Sequence, residues 1–321
     1  HVGLRPPRDD MKKEILNTSP SDGLKRQLGF WDSVAINVGV IIGVGIFRVP
    51  AEVAKYVDSP SLILATWILG GLISLLGVLC YAELASCLPH TGGTYVYLRE
   101  AFGKPVGFLF GWAELSIVRA GSIAAVAYIL TNYLGNLIPL AASHEKLFTI
   151  GAIGFFSGIN ILGIHIGTKV QHILTLLKIA FIGAIVGFIF HLKGVPALSS
   201  SALTAEVDKV SFFGMAPALI PVLFTYGGWH QSTFMSGEFR DTQKALPLSL
   251  ITGVFVVTCV YLLVNVAYLR MMAPVQMVES KAIVSDIFRN LFGAAGKLAI
   301  SAVVVVSASG ALNSTILTGG R

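Results

Sequence analysis

The chain has 321 residues, 54% of them hydrophobic and only 12% charged, against about a quarter charged in an ordinary soluble domain. A soluble fold of that length has no way to hide so much apolar surface, so the bilayer is its solvent. The formal net charge of +6 is spread over short inter-segment loops and a polar N-terminus rather than drawn into a basic stripe, which speaks for membrane topology and against nucleic-acid binding.

In chain order, the polar stretch 1–28 comes first. It holds no apolar core of a cleavable signal, so the first hydrophobic segment must itself direct insertion, and Met11 reads as a start site behind an extension. Segments of about 20 apolar residues then follow, each long enough to cross the hydrocarbon core. They are predicted at 33–47, 59–82, 105–133, 147–164, 170–192, 210–237, 245–269 and 298–320. The third carries Glu114 and Arg119 and the fifth carries Lys178. With the N-terminus in the cytoplasm, the inner loops hold twelve Lys and Arg residues and the outer ones eight, and the N-terminal cluster fixes the orientation. Cys80, Cys87 and Cys259 are odd in number and lie in or beside apolar segments, which gives no disulfide framework.

Two spans read as broken. In the first, Gly39, Gly43 and Gly45 crowd into seven residues, and each glycine weakens a helix by about 1 kcal/mol relative to alanine. In the sixth, Pro221 is followed by the pair Gly227-Gly228. Glycines in membrane helices also serve close packing. Two interrupted segments in corresponding halves of a chain, however, are the sequence mark of a transporter site.

These residues resemble the amino acid-polyamine-organocation transporters, and among them the L-type amino acid transporters. The resemblance runs from Leu28 onward. It is carried by Gly43-Val44-Gly45-Ile46-Phe47, by Tyr81-Ala82-Glu83-Leu84 with Thr91-Gly92-Gly93-Thr94-Tyr95, and by Tyr226-Gly227-Gly228-Trp229 with Glu238. It implies an all-α integral membrane protein of the LeuT-type fold, with broken first and sixth helices and two inverted repeats. The expected organisation is a cytoplasmic tail over 1–28, a first repeat over 29–192, an extracellular loop over 193–210 and an incomplete second repeat over 211–321. Ending at Arg321, where the eighth helix emerges, the chain is expected to lack two helices of that repeat and two peripheral ones, and alone not to transport.

The same resemblance implies a multi-pass protein of the cell membrane that carries amino acids by sodium-independent exchange, with neutral amino acids as substrates. Alternatives are cationic amino acids or polyamines, or a sensor on the same fold. Backbone amides at Val44 and Gly45 are expected to bind the substrate carboxylate. Carbonyls of Ile41, Phe224, Thr225 and Gly227 are expected to take its ammonium, and Phe224 is the expected aromatic gate. Lys178 is expected to replace a sodium ion, bridging carbonyls of the first break to Ser309 on the eighth helix, because a lysine at mid-membrane costs about 2.5 to 3.5 kcal/mol unless partnered. Glu238 is expected to latch the inner gate to Arg26 or Arg99. The pattern departs from the family at Val44, where many relatives carry a small or hydroxylated residue, and at His230, where L-type members carry Asn. His230 reads as a packing histidine or as a specificity residue.

Glu114 and Arg119 lie about 500° apart round an α-helix, and so are expected to point to different faces and not to pair. Arg48 reads as gate or interface residue. The sequence offers no nucleophile triad, metal-ligand cluster or cofactor motif, so the chain reads as no enzyme. Its partners are the amino acid and the lipid bilayer, with any partner subunit left open.

Overall fold

The computed structural model describes residues 26–192, 209–280 and 283–319. Residues 1–25 of the expected tail and most of the expected extracellular loop lie outside that set. Every regular element described is helical, and among the described residues the only β contact is an isolated parallel bridge between Leu28 and Phe239.

The first span is two helices, Phe30–Ile41 and Gly45–Ala54, bent by 47° at the intervening residues. Ile42 ends the first of them: its ψ of 76° turns the chain out of the helix. The second span is Pro60–Cys87, and Thr94–Phe102 is a short helix before the third, which runs from Lys104 to Leu137. The fourth is Glu145–Ile161 and the fifth Ile164–His191. The sixth begins as Lys209–Tyr226, breaks at the glycine pair, and continues as a 3-10 helix, Gln231–Glu238. Ala245–Met271 is the seventh and Ala294–Gly319 the eighth, with Pro274–Glu279 and Ile283–Phe292 between them.

Five of these helices are long and apolar enough to cross a membrane unaided, and the bent pair makes a sixth. The other two expected spans are shorter, at 17 residues for Glu145–Ile161 and 18 for Lys209–Tyr226. At 1.5 Å per residue these described stretches reach about 26 Å, and the second ends at the glycine pair. The expected eight spans therefore comprise helices of unequal depth.

Packing divides the bundle in two. The second, sixth and seventh spans enclose the large core with the first, through Ile36, Ile42, Ile63, Trp67, Val222, Tyr226, Val257 and Tyr261. A smaller core joins the third, fourth and eighth spans through Ala127, Leu130, Phe156, Ala308 and Leu312. Val44, at the first break, packs against both. Leu72, Leu76, Phe108, Leu109, Leu115 and Leu176 point outward, which is the surface a protein bathed in lipid presents.

Candidate functional site

The two breaks interlock. A methyl group added at Gly45 would stand 2.8 Å from Cγ2 of Thr225, and one added at Gly228 would run into the side chain of Val40. Gly228 also has φ +102°, a conformation that a side chain disfavours. Glycine is thus required on each broken span where the other passes.

Polarity differs on the two sides. At the first break, Val44 caps the helix Gly45–Ala54, whose leading N–H groups have no intrahelical acceptor and carry the positive end of its dipole. At the sixth break, Lys209–Tyr226 ends and leaves its last carbonyls without intrahelical donors. Phe224 takes the Gly227 N–H at 3.1 Å, which occupies one of its two lone pairs. Thr225 sends its own hydroxyl to Pro221 at 2.8 Å.

The carbonyls of the first break are held by the protein. Lys178, 1% exposed, donates from Nζ to Gly39 at 2.8 Å and to Ile42. Ser307 donates to Gly43 at 3.1 Å and lies 3.4 Å from the Ile42 carbonyl. Ile41 takes the Tyr261 hydroxyl at 2.6 Å and the Gly43 N–H at 2.8 Å. On the eighth helix it is Ser307, not the expected Ser309, that reaches the first break, and it meets the Ile42 and Gly43 carbonyls: two residues apart on a helix means about 200° of rotation. The Ile41 carbonyl, expected to meet an ammonium, has both lone pairs engaged.

Phe224 is 84% exposed. A covering role over the break would bury part of that ring. Arg48 is likewise exposed, 4.0 Å from Glu52. His230 sits in an aromatic cluster, its ring 5.2 Å from Trp229, 5.6 Å from Tyr81 and 6.0 Å from Phe234.

Arg119, midway along the third span, reaches the sixth and the eighth. It pairs with Glu114 at 2.8 Å, donates to Gln231 at 2.5 Å and to Thr318 at 3.1 Å, and covers the Phe234 ring at 5.1 Å. The expectation that Glu114 and Arg119 do not pair is corrected here. Residues Glu114–Arg119 form a π-helical turn, whose i to i+5 repeat brings residues five apart onto one face. The Glu238 carbonyl receives the N–H groups of Gln27 and Leu28 at 2.9 Å each, and Arg240 N–H donates to the Leu28 carbonyl at 3.0 Å. Arg99, one of its expected partners, is paired with Glu100 at 2.9 Å.

Sequence reading missed Tyr261, Ser307, Gln231 and Thr318. Only Tyr261 left a trace, as a polar-tipped aromatic midway along an apolar span. Among the described residues no group of three His, Cys, Asp or Glu side chains is placed to hold a metal.

Two interlocked broken helices among long apolar spans define a multi-pass helical membrane protein of the broken-helix class. Residues 28–321 match the amino acid permease family model, and the chain belongs to that family. It is 32% identical over 298 residues to the serine/threonine exchanger SteT of Bacillus subtilis (strain 168), covering 92% of this chain and 67% of the relative. It is 30% identical over 326 residues to the human b(0,+)-type amino acid transporter 1, covering 100% and 66%. To the mouse Asc-type amino acid transporter 1 it is 30% identical over 306 residues, covering 93% and 57%. The chain spans about two thirds of the length of the first of these relatives, and less of the last.

Proposed function

We propose that the protein is a secondary transporter of neutral amino acids, working by sodium-independent exchange in the cell membrane with its N-terminus inside. What supports this reading is the interlocking of the N-terminal end of Gly45–Ala54 with the C-terminal end of Lys209–Tyr226, where Val44 and Gly45 would offer N–H groups and Phe224, Thr225 and Gly227 carbonyls. A zwitterionic α-amino acid has the complementary dipole: its carboxylate accepts from the half-helix N-terminus and its ammonium donates to the half-helix C-terminus. Relatives described as amino acid transporters and as an exchanger support the same substrate class.

Lys178 supports sodium independence. Its ammonium already occupies the Gly39 and Ile42 carbonyls, the position in which a bound cation would be liganded by unwound backbone. When protonated, Lys178 disfavours a second cation on the substrate side chain, which argues for neutral amino acids over cationic ones or polyamines.

The test is counterflow in proteoliposomes by the full-length protein. Internal unlabelled amino acid should drive uptake of labelled neutral amino acid equally with external sodium and with external choline. A steep sodium requirement would sink the sodium-independent reading, and binding without flux would make the protein a sensor.

A further inference from the structure

The first and sixth spans meet on both sides of their breaks. On one side Gly45 faces Thr225. On the other, Asn37, ahead of the first break, meets Ser232, just past the sixth, and both are fully buried. Ser232 is the second residue of Gln231–Glu238, where an N–H has no intrahelical acceptor. It donates that N–H to Oδ1 of Asn37 at 3.3 Å, so this half-helix is capped by a side chain of another span. The cap is incomplete. Nδ2 of Asn37 and Oγ of Ser232 are buried with no hydrogen-bond partner among the described residues. Gly253 of the seventh span makes room for the carboxamide: a methyl there would stand 3.2 Å from Cβ of Asn37 and 3.9 Å from its Nδ2. One turn earlier on the same two helices, Ser33 and Ser249 are joined at 2.5 Å, so polar groups on this face do pair where a partner is offered.

We infer that Asn37 and Ser232 are positioning residues whose contact sets how readily the inner side of the protein opens, through two opposed contributions. The bond from the Ser232 N–H to Oδ1 holds the inner halves of the first and sixth spans together. The unpaired Nδ2 and Oγ work against it, because a buried polar group without a partner is destabilising and gains water when the helices part. A carrier visits both openings in every turnover, and a fastening that is half paired keeps the closed inner side from becoming a deep trap. This inference rests on the reading that the breaks hold a transported amino acid, with the N-terminus inside. It adds two residues outside the breaks that govern access to the amino acid and not its recognition.

The experiment compares Asn37→Ala and Ser232→Ala in the full-length protein, reconstituted in one orientation, with the KM for amino acid measured at each face. An apparent KM rises as the fraction of protein open to that face falls. Asn37→Ala removes the cap from the closed inner side and costs the open one nothing, so the ratio of outer to inner KM should rise about fivefold. Ser232→Ala deletes an unpaired hydroxyl and keeps the N–H bonded to Asn37, so the same ratio should fall about threefold. A merely structural role would lower abundance or maximal rate and leave the ratio alone. Should Asn37→Ala fail to fold, the fall in Ser232→Ala carries the test by itself. An unchanged ratio in a folded variant, or shifts of the same sign in both, overturns the inference while leaving the transport reading intact. Opposite shifts with both signs reversed would uphold the contact as the fastening and overturn the inside placement of the N-terminus. If the wild type exchanges no amino acid, the transport reading fails and takes the inference with it.

Discussion

The carboxylate of Glu114 and the guanidinium of Arg119 stand 2.8 Å apart across a π-helical turn of the third span. Because the same guanidinium also holds Gln231 of the sixth span and Thr318 of the eighth, the pair fastens the second half of a broken helix to two unbroken ones. Arg119→Gln should loosen that junction. In a background with Cys80, Cys87 and Cys259 changed to serine, a cysteine at Thr318 should react several-fold faster with a membrane-impermeant maleimide from the inner face once Arg119 is replaced. Unaltered labelling would show that the junction holds without the charge. Arg119→Lys should not restore it, since an ammonium cannot reproduce the planar fork.

Lys178→Met should separate charge from bulk. The Gly39 and Ile42 carbonyls lose their donor, at about 1 to 3 kcal/mol for each group left unsatisfied, so the melting temperature falls. Exchange should slow at least tenfold while reconstitution still succeeds. Wild-type exchange rates in folded Lys178→Met would remove the lysine from the working site.

Phe224→Ala should spare stability, because an 84%-exposed ring buries too little to matter and exposed substitutions shift stability by about 0.5 kcal/mol or less. Any loss must then come from function. Surface abundance should stay within about twofold of wild type while exchange drops several-fold. Normal exchange would mean that the ring never closes over the site.

Gly45→Ala should press its methyl onto Cγ2 of Thr225, 2.8 Å away, and abolish exchange by forcing the breaks apart. Thr225→Ser deletes that methyl and keeps the hydroxyl that bonds Pro221. The double variant should recover a measurable fraction of the rate, and a double variant as dead as Gly45→Ala would refute the contact as the cause.

The broken spans were legible in the sequence because glycine and proline act locally: three glycines in seven residues, or a proline ahead of a glycine pair, weaken a helix wherever it packs. Lys178 was legible for a similar reason, since a mid-membrane lysine must find partners. Which partners it finds is a matter of rotation between helices. The choice between Ser307 and Ser309 depends on how the eighth span is turned against the first, and composition holds no record of that. Glu114 and Arg119 were misjudged because the α-helical repeat was assumed across a stretch whose π turn has no sequence signature. Tyr261 was overlooked because its part comes wholly from the carbonyls other spans bring to it.

The lysine at the first break has an energetic corollary. An ion that enters from one compartment and leaves into the other can hand the work stored in its gradient to the solute bound beside it. An ammonium tethered to the fifth span by its own side chain crosses nothing, and so long as it keeps its proton, whatever it contributes to holding the break returns unchanged when the cycle closes. Under the proposed exchange, such a carrier would draw only on the concentrations of the solutes it moves, one running downhill as another is lifted.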